Sequence, residues 1–302
     1  VPITKLHASE PDIDIAQVGR MVADQFPRWA GLPLAPVSAS GTDNVMLRLG
    51  EGLVVRLPRT VSAVPSLRKE VRYAPVLGPR LPVPVPIPLA VGAPGRGYPW
   101  PWTVSGWLEG GNPSPGDAHG PSLAVDLADF IAALHTADVG TETSAGPLRT
   151  YRGGPLGARD VLTRSAIGGC ADLLDPALLT EAWDEARRVP EGAGEAVWIH
   201  TDLQPGNLLA AGGRLAGVLD WGGLAIGDPA VDLIVAWNLL DDEARAVFRD
   251  AMDVDQPTWN RGRAWALSIG IIAYPFYVDT NPQLARVSKY QIEQVVADIS
   301  RR

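Results

Sequence analysis

His200-Thr201-Asp202-Leu203-Gln204-Pro205-Gly206-Asn207, followed by Asp220-Trp221-Gly222, is the stretch of the 302-residue sequence on which its reading turns. Asp202 and Asn207 stand five residues apart, and Asp220 follows Asn207 by thirteen. The flanking runs Val197-Trp198-Ile199 and Leu215 to Leu219 are short and apolar, so 197–219 reads as strand, polar loop, strand. Polar side chains at strand ends can be aimed into a cleft by the scaffold beneath them.

Phosphoryl transfer from a nucleotide needs what this cluster offers. One carboxylate must accept or orient the proton of the attacking hydroxyl. Oxygen ligands must hold Mg²⁺ against the phosphates while charge spreads over the phosphoryl oxygens. The ion is commonly bound through one or two carboxylates, with phosphate and water completing its shell. Asp202 suits the first role; Asn207 and Asp220 suit the second. The structural alternative makes both aspartates loop caps and Asn207 a turn residue.

Working outward, an α/β half precedes a mostly helical half. Residues 12–26 suit a helix, with Asp12 as a cap. Strands are expected at 45–49 and 53–57, joined by Gly50-Glu51-Gly52. Val64, Leu67, Val71, Ala74 and Leu77 recur at helical spacing, with Glu70 lying off that apolar stripe. Alternating prolines from Pro79 to Pro88 enforce extended backbone and read as a stiff connector. Strands near 87–91 and 102–107 follow. Gly110-Gly111-Asn112-Pro113 then breaks the pattern, which sets domains of 1–109 and 110–302. Helices are expected at 121–137, at 176–188 and from about 229 onward, with a kink or break at Pro275.

Composition excludes several classes. At 46% apolar and 20% charged, the chain has the material for a core and is neither disordered nor fibrous. Its single cysteine, Cys170, forms no intrachain disulfide. No signal-peptide core stands at the N-terminus. The longest apolar-looking stretch, Leu267 to Val278, is 12 residues and too short to span a bilayer. A cytoplasmic location is the expectation. Net charge is −8, divided as +3 over residues 1–109 and −11 over 110–302. That excludes a nucleic-acid binder, which needs a basic footprint, and suits a cationic ligand if the acids line a cleft. His7, His119 and His135 lack metal-ligand spacing.

His200 to Asn207 together with Asp220-Trp221-Gly222 resembles the catalytic and metal-binding loops of the aminoglycoside phosphotransferase family, relatives of protein kinases. Gly227-Asp228-Pro229-Ala230-Val231-Asp232-Leu233, Ser40-Gly41-Thr42-Asp43-Asn44, Leu53 to Arg59, Tyr98-Pro99-Trp100 and Trp107-Leu108-Glu109-Gly110 also look like signatures of that family. The resemblance implies an α+β, bilobal, protein-kinase-like fold: a small β-rich lobe with one key helix, a larger mainly helical lobe, and ATP or GTP bound between them with Mg²⁺. It implies Asp202 as catalytic base, Asn207 and Asp220 as metal ligands, and His200 and Asp232 as braces of the loop. Ser40, Gly41, Asn44, Arg56, Glu70, Trp107 and Leu108 would bind nucleotide, with Glu70 pairing the strand cation and Trp107-Leu108-Glu109 forming the hinge.

The sequence departs from the family pattern in five places. Arg56 stands where kinases carry lysine, so a planar fork replaces a point charge. The nucleotide loop lacks G-x-G-x-x-G, and Ser40, Thr42 and Asn44 would supply donors instead. Thr201 and Gln204 stand where many relatives have glycine and histidine, and Trp221 replaces phenylalanine. The acceptor is expected to be the hydroxyl of an aminoglycoside or related antibiotic, with Asp241, Asp242 and Asp279 meeting its cationic groups. A macrolide, or a metabolite such as choline or homoserine, is the alternative. A non-catalytic nucleotide binder and a protein kinase are the rival classes; the protein-kinase A-P-E motif is missing. A monomer or weak dimer is expected.

Overall fold

The computed structural model describes residues 2–6, 8–37, 43–117, 120–192 and 195–301. Ser40, Gly41 and Thr42 of the expected phosphate loop, like His7 and His119, lie outside the described residues. Two compact units emerge: Val1–Pro79 with Pro84–Leu108 and Asp220–Gly222, and Arg80–Val83 with Glu109–Leu219 and Gly223–Arg302. Asp220-Trp221-Gly222 thus belongs to the first unit although its chain neighbours on both sides belong to the second.

The first unit runs α1 (Ile15–Gln25), β1 (Leu34–Pro36), β2 (Asn44–Leu49), β3 (Leu53–Pro58), α2 (Val64–Leu77), β4 (Pro88–Gly92) and β5 (Trp102–Gly106). Among the described residues its strands form one antiparallel sheet in the order β1-β2-β3-β5-β4. Helix α1 starts at Asp14 rather than Asp12. Asp14 accepts from the Gln17 amide at 2.6 Å while the Gln17 side chain accepts from the Asp14 amide at 3.2 Å, a reciprocal cap that Asp12, paired to Lys5 at 2.8 Å, does not make. Val18, Met21 and Val22 of α1 pack with Val55 and Leu57 of β3 and with Trp102 and Val104 of β5. Side chains alternate along a strand, so Arg56 points to the opposite face from Val55 and Leu57, where it meets α2.

The second unit contains α3 (Gly120–His135), α4 (Asp160–Ile167), α5 (Pro176–Ala186), β6 (Val197–Ile199), β7 (Leu208–Ala211), β8 (Arg214–Val218), β9 (Ala225–Gly227), α6 (Val235–Asn238), α7 (Asp242–Met252), α8 (Gln256–Tyr277) and α9 (Pro282–Ser300). Asp175, Asp241 and Asp255 cap α5, α7 and α8 by accepting from backbone amides at 2.9, 2.8 and 2.8 Å. The stretch 197–219 holds one strand more than the sequence suggested. β7 and β8 form a hairpin, whereas β6 pairs with β9. From Pro229 to Ile234 the backbone is a 3-10 turn before the short α6 begins, not a continuous helix.

Pro275 neither breaks nor ends α8, which runs two residues beyond it. The carbonyl that Pro275 leaves without its helical N–H is that of Ile271, and the buried Cys170 thiol lies 3.6 Å from that oxygen. The middle of α8 is buried on every side, from Arg261 through Ser268, and Trp237 is set against Trp259 at 4.7 Å between ring centres. Among the described residues no helix is long and apolar enough to cross a membrane.

Candidate active site

In the first unit the chemistry centres on Arg56. One of its terminal nitrogens donates to both Glu70 carboxylate oxygens, and the other donates to Asp220 Oδ1 at 3.2 Å. With its amide oxygen turned toward Arg56, Asn44 accepts from Nε at 3.1 Å and from Nη2 at 2.9 Å. Glu70 is only 4% exposed, so it lies on the buried side of α2, not off it as the periodicity suggested. The helical stripe reports apolar positions, and a paired carboxylate is invisible to it. Burial opposes the Arg56 charge, but the Glu70 and Asp220 carboxylates outweigh it and hold the guanidinium above its ordinary value.

Asp220 stands at φ +57, a left-handed conformation uncommon for a residue with a side chain, and its side chain is 49% exposed. The Gly222 amide donates to Glu70. A Cβ on Gly222 would sit 2.8 Å from the Ser66 Cβ, so only glycine lets this segment lie against α2. The expected hinge residues Trp107 and Leu108 follow β5 directly. The Trp107 amide donates to the Gly52 carbonyl at 2.9 Å, and Arg48 lies over its indole ring at 3.9 Å.

In the second unit the loop from β6 to β7 carries His200, Asp202 and Asn207. Asp232, fully buried, accepts from the His200 amide at 2.9 Å, from the Thr201 amide at 2.8 Å and from His135 Nε2 at 3.1 Å. His200 Nε2 donates to the Leu219 carbonyl at 2.9 Å, which leaves Nδ1 as the acceptor facing the Asp202 amide at 3.4 Å. The Leu219 amide in turn donates to the Asn207 carbonyl at 2.7 Å. Thr201 adopts φ +74, a strained choice for a β-branched residue, and its hydroxyl donates to the Gly223 carbonyl at 3.1 Å.

Asp202 is surrounded by donors. Arg152 donates to Oδ1 and also to the Thr201 carbonyl at 3.0 Å. Gln204 Nε2 reaches Oδ2 at 3.2 Å, and Asn207 Nδ2 reaches Oδ2 at 3.1 Å and the Asp202 carbonyl at 2.9 Å. Burial would push the Asp202 carboxyl up, but the Arg152 charge and hydrogen bond, with His200 and Asn207, hold it below the usual carboxylate range.

Sequence reasoning missed three supports of this loop. Arg152 lies fifty residues upstream of Asp202 and matches no spacing rule. Asn112, in the Gly/Pro-rich break after β5, donates to the carbonyls of Pro205, Gly206 and Leu208 at 3.3, 3.1 and 2.8 Å. Asn238, nearly fully buried, donates to the Leu203 carbonyl at 2.8 Å. Buried polar residues flanked by apolar ones, as Asn238 is, were the one available signal.

Two of the three acids expected to meet a cationic acceptor have other partners. Asp241 is the α7 cap, and Asp242 binds Arg245 at 3.3 Å and Arg301 at 2.5 Å. Asp279 is exposed just beyond α8. Among the described residues, no group of three or more His, Cys, Asp or Glu side chains could hold a metal by itself. Each in its own unit, Asn207 and Asp220 carry the hard oxygen donors that magnesium takes. Asn207 spends its NH₂ on Asp202 and so keeps its amide oxygen available, and Asp220 offers a half-exposed carboxylate.

The profile described as the phosphotransferase enzyme family matches residues 35–265. Comparison with curated proteins by sequence returns no match. Among solved structures, the GDP and kanamycin complex of an aminoglycoside phosphotransferase, APH(2″)-IIIa, superposes with a TM-score of 0.70 at 19% identity, covering 93% of this chain and 98% of that one. A type I macrolide 2′-phosphotransferase gives 0.64 at 19% identity, covering 96% and 99%. The apoenzyme of a macrolide 2′-phosphotransferase from Brachybacterium faecium gives 0.61 at 22% identity, covering 94% and 97%. The fold is therefore shared with these structures over nearly the full length of each.

Proposed function

The chain belongs to the phosphotransferase enzyme family, and on that premise we propose that it moves the terminal phosphoryl group of ATP or GTP to a hydroxyl of a small molecule. An aminoglycoside or related antibiotic is the acceptor class that the likeness to the kanamycin-bound structure supports. One observation carries the reading: Asn207 donates its amide hydrogens to Asp202 and faces its oxygen elsewhere, so one loop supplies a poised carboxylate and a free hard ligand.

Each residue then has a task. Asp202 Oδ2 receives both Gln204 and Asn207, which fills its two lone-pair directions, whereas Oδ1 receives Arg152 alone. The acceptor hydroxyl therefore docks on Oδ1. Held below the usual range, Asp202 is ionised at neutral pH and acts chiefly by orienting the hydroxyl, taking its proton as the new bond forms. Asn207 and Asp220 would hold magnesium, which when bound offsets charge on the phosphoryl oxygens. Arg56, fixed by Glu70 and Asn44, offers its guanidinium to phosphate. His200 and Asp232 hold the loop's backbone. Trp107 and Leu108 are the segment proposed to meet the base, and a cytoplasmic setting would supply the nucleotide.

A macrolide acceptor is the second reading. It is supported by the likeness to two macrolide phosphotransferases and by Arg152, whose positive charge stands beside Asp202 where a polycation would otherwise be drawn. A coupled nucleotide-consumption screen tests both. With ATP and with GTP, the purified chain is offered aminoglycosides, macrolides and amino alcohols, and phosphorylated product is identified by mass. Turnover with an antibiotic is expected; binding of nucleotide without product across the whole panel would overturn the enzymatic reading.

A further inference from the structure

Arg152 has no place in the functional scheme read from sequence, yet it makes the closest contact to the carboxylate at its centre. A single nitrogen, Nη1, donates both to Asp202 Oδ1 and to the Thr201 carbonyl. The loop that carries it is fastened to the elements that carry the site. The Arg152 amide donates to Thr150 Oγ1 at 3.2 Å. Gly153 adopts φ +79, and a Cβ there would fall 2.4 Å from Ile199 Cδ1 of β6. The Gly153 carbonyl accepts from the Asp228 amide at 2.8 Å, just ahead of the 3-10 turn that holds Asp232. The Tyr151 ring stands 5.8 Å from the Arg152 guanidinium and 5.1 Å from that of Arg159. Among the described residues, Asp202 is the one carboxylate that pairs with Arg152.

A stabilising surface ion pair needs none of this construction. We propose that Arg152 is a positioning residue of the transfer reaction: it locks the plane of the Asp202 carboxylate and the strained Thr201 peptide together, so that the second lone pair of Oδ1 faces the acceptor hydroxyl. The inference rests on the assignment of Asp202 as the catalytic carboxylate. Without the guanidinium the carboxylate keeps its donors on Oδ2 but can rotate about its last torsion, and the Thr201 carbonyl loses a partner. Small losses of alignment at a reacting centre are costly in rate while leaving remote ligand binding intact.

The test uses R152A and R152K in the full chain, with ATP or GTP and whichever of kanamycin, gentamicin or erythromycin the unaltered chain phosphorylates fastest. R152A should lower kcat by about 10- to 100-fold, with nucleotide KM changed by less than about two-fold. R152K should fall between R152A and the unaltered chain. Millimolar guanidinium, far below denaturing levels, should restore R152A activity by about five-fold or more, a response that a packing defect cannot give. An R152A kcat within about two-fold of the unaltered chain would overturn the proposal. So would a loss that guanidinium does not reverse and that follows a lowered melting temperature. Should the unaltered chain consume no nucleotide with any acceptor, the phosphotransferase reading itself fails, an outcome visible before any variant is made.

Discussion

The Thr201 amide donates to Asp232 Oδ1 at 2.8 Å, and this bond ties a left-handed backbone at φ +74 to a fully buried carboxylate. The same carboxylate takes the preceding amide, that of His200, on its other oxygen at 2.9 Å. Two consecutive peptide groups are therefore aimed by one side chain, and the direction of Asp202 follows from theirs.

Asp232→Asn keeps the shape but replaces one acceptor oxygen by an NH₂ that faces an N–H donor. The expected cost is about 2–4 kcal/mol of stability, read from urea unfolding, because a buried group is left unmet inside a network. Activity should fall further than stability does, since the loop is misdirected before it melts. A variant as stable and active as the original would remove Asp232 from the support of the loop.

Thr201 offers a cleaner comparison. Thr201→Gly relieves the left-handed strain but gives up the hydroxyl bond to the Gly223 carbonyl, so its stability should change by less than about 1 kcal/mol. Thr201→Val keeps the branching and loses the bond, and should cost about 1–2 kcal/mol. Thermal melts of the two variants should rank glycine above valine; the reverse order would mean the strain carries no weight here.

Arg56 and Glu70 form a buried pair, and removal of one partner strands the other. Arg56→Met should destabilise the first unit by about 3–5 kcal/mol. Arg56→Lys keeps the charge but cannot span Glu70, Asp220 and Asn44 together. It should raise nucleotide KM by about ten-fold with a milder effect on folding. Isothermal titration with the nucleotide separates the two effects.

Asp220→Ala should abolish magnesium-dependent turnover while the far-UV spectrum stays unchanged, because its carboxylate is half exposed and contributes little packing. Asp202→Asn should cut kcat by about 10²- to 10⁴-fold with little change in nucleotide affinity. Retained activity in either variant would displace that residue from its proposed role.

Cys170 gives a pH signature independent of the reaction. Burial, with Asp172 nearby, pushes its thiol from 9.0 up to about 11. The folded state therefore holds the proton more tightly than the unfolded chain. Stability from this group is complete below pH 9 and is lost as pH rises through about 11, by an amount on the order of 2 kcal/mol. The pH dependence of unfolding should be shallower in Cys170→Ala across that window, and alkylation of the native thiol at pH 8 should be slow.

Much of the architecture was legible because it rests on local rules. The hairpin of β2 and β3 followed from alternation around two glycines, and α2 followed from a stripe at helical spacing. The loop from His200 to Asn207 showed itself through spacing alone. What stayed hidden depends on pairing across the chain. The burial of Glu70 left no mark on the apolar stripe, its pairing with the strand cation being expected from the family resemblance alone, and Arg152 had no signature because fifty residues separate it from its partner. β7 was absorbed into a polar loop, since four residues with two alanines carry little alternation. Pro275 misled because the rule against proline in a helix assumes that the orphaned carbonyl finds no donor, and here a thiol lies within reach.

The aspartates that begin helices alter what an approaching molecule would feel. Asp175, Asp241 and Asp255 each face the electropositive start of a helix, so much of their field is answered within a few ångströms. Electrophoretic mobility would register the full formal charge of the chain, whereas a visiting solute would sense a weaker one. Selectivity should then track the few carboxylates left unanswered, and substitutions that alter only the bulk count of acids should move the isoelectric point without changing which molecules are accepted.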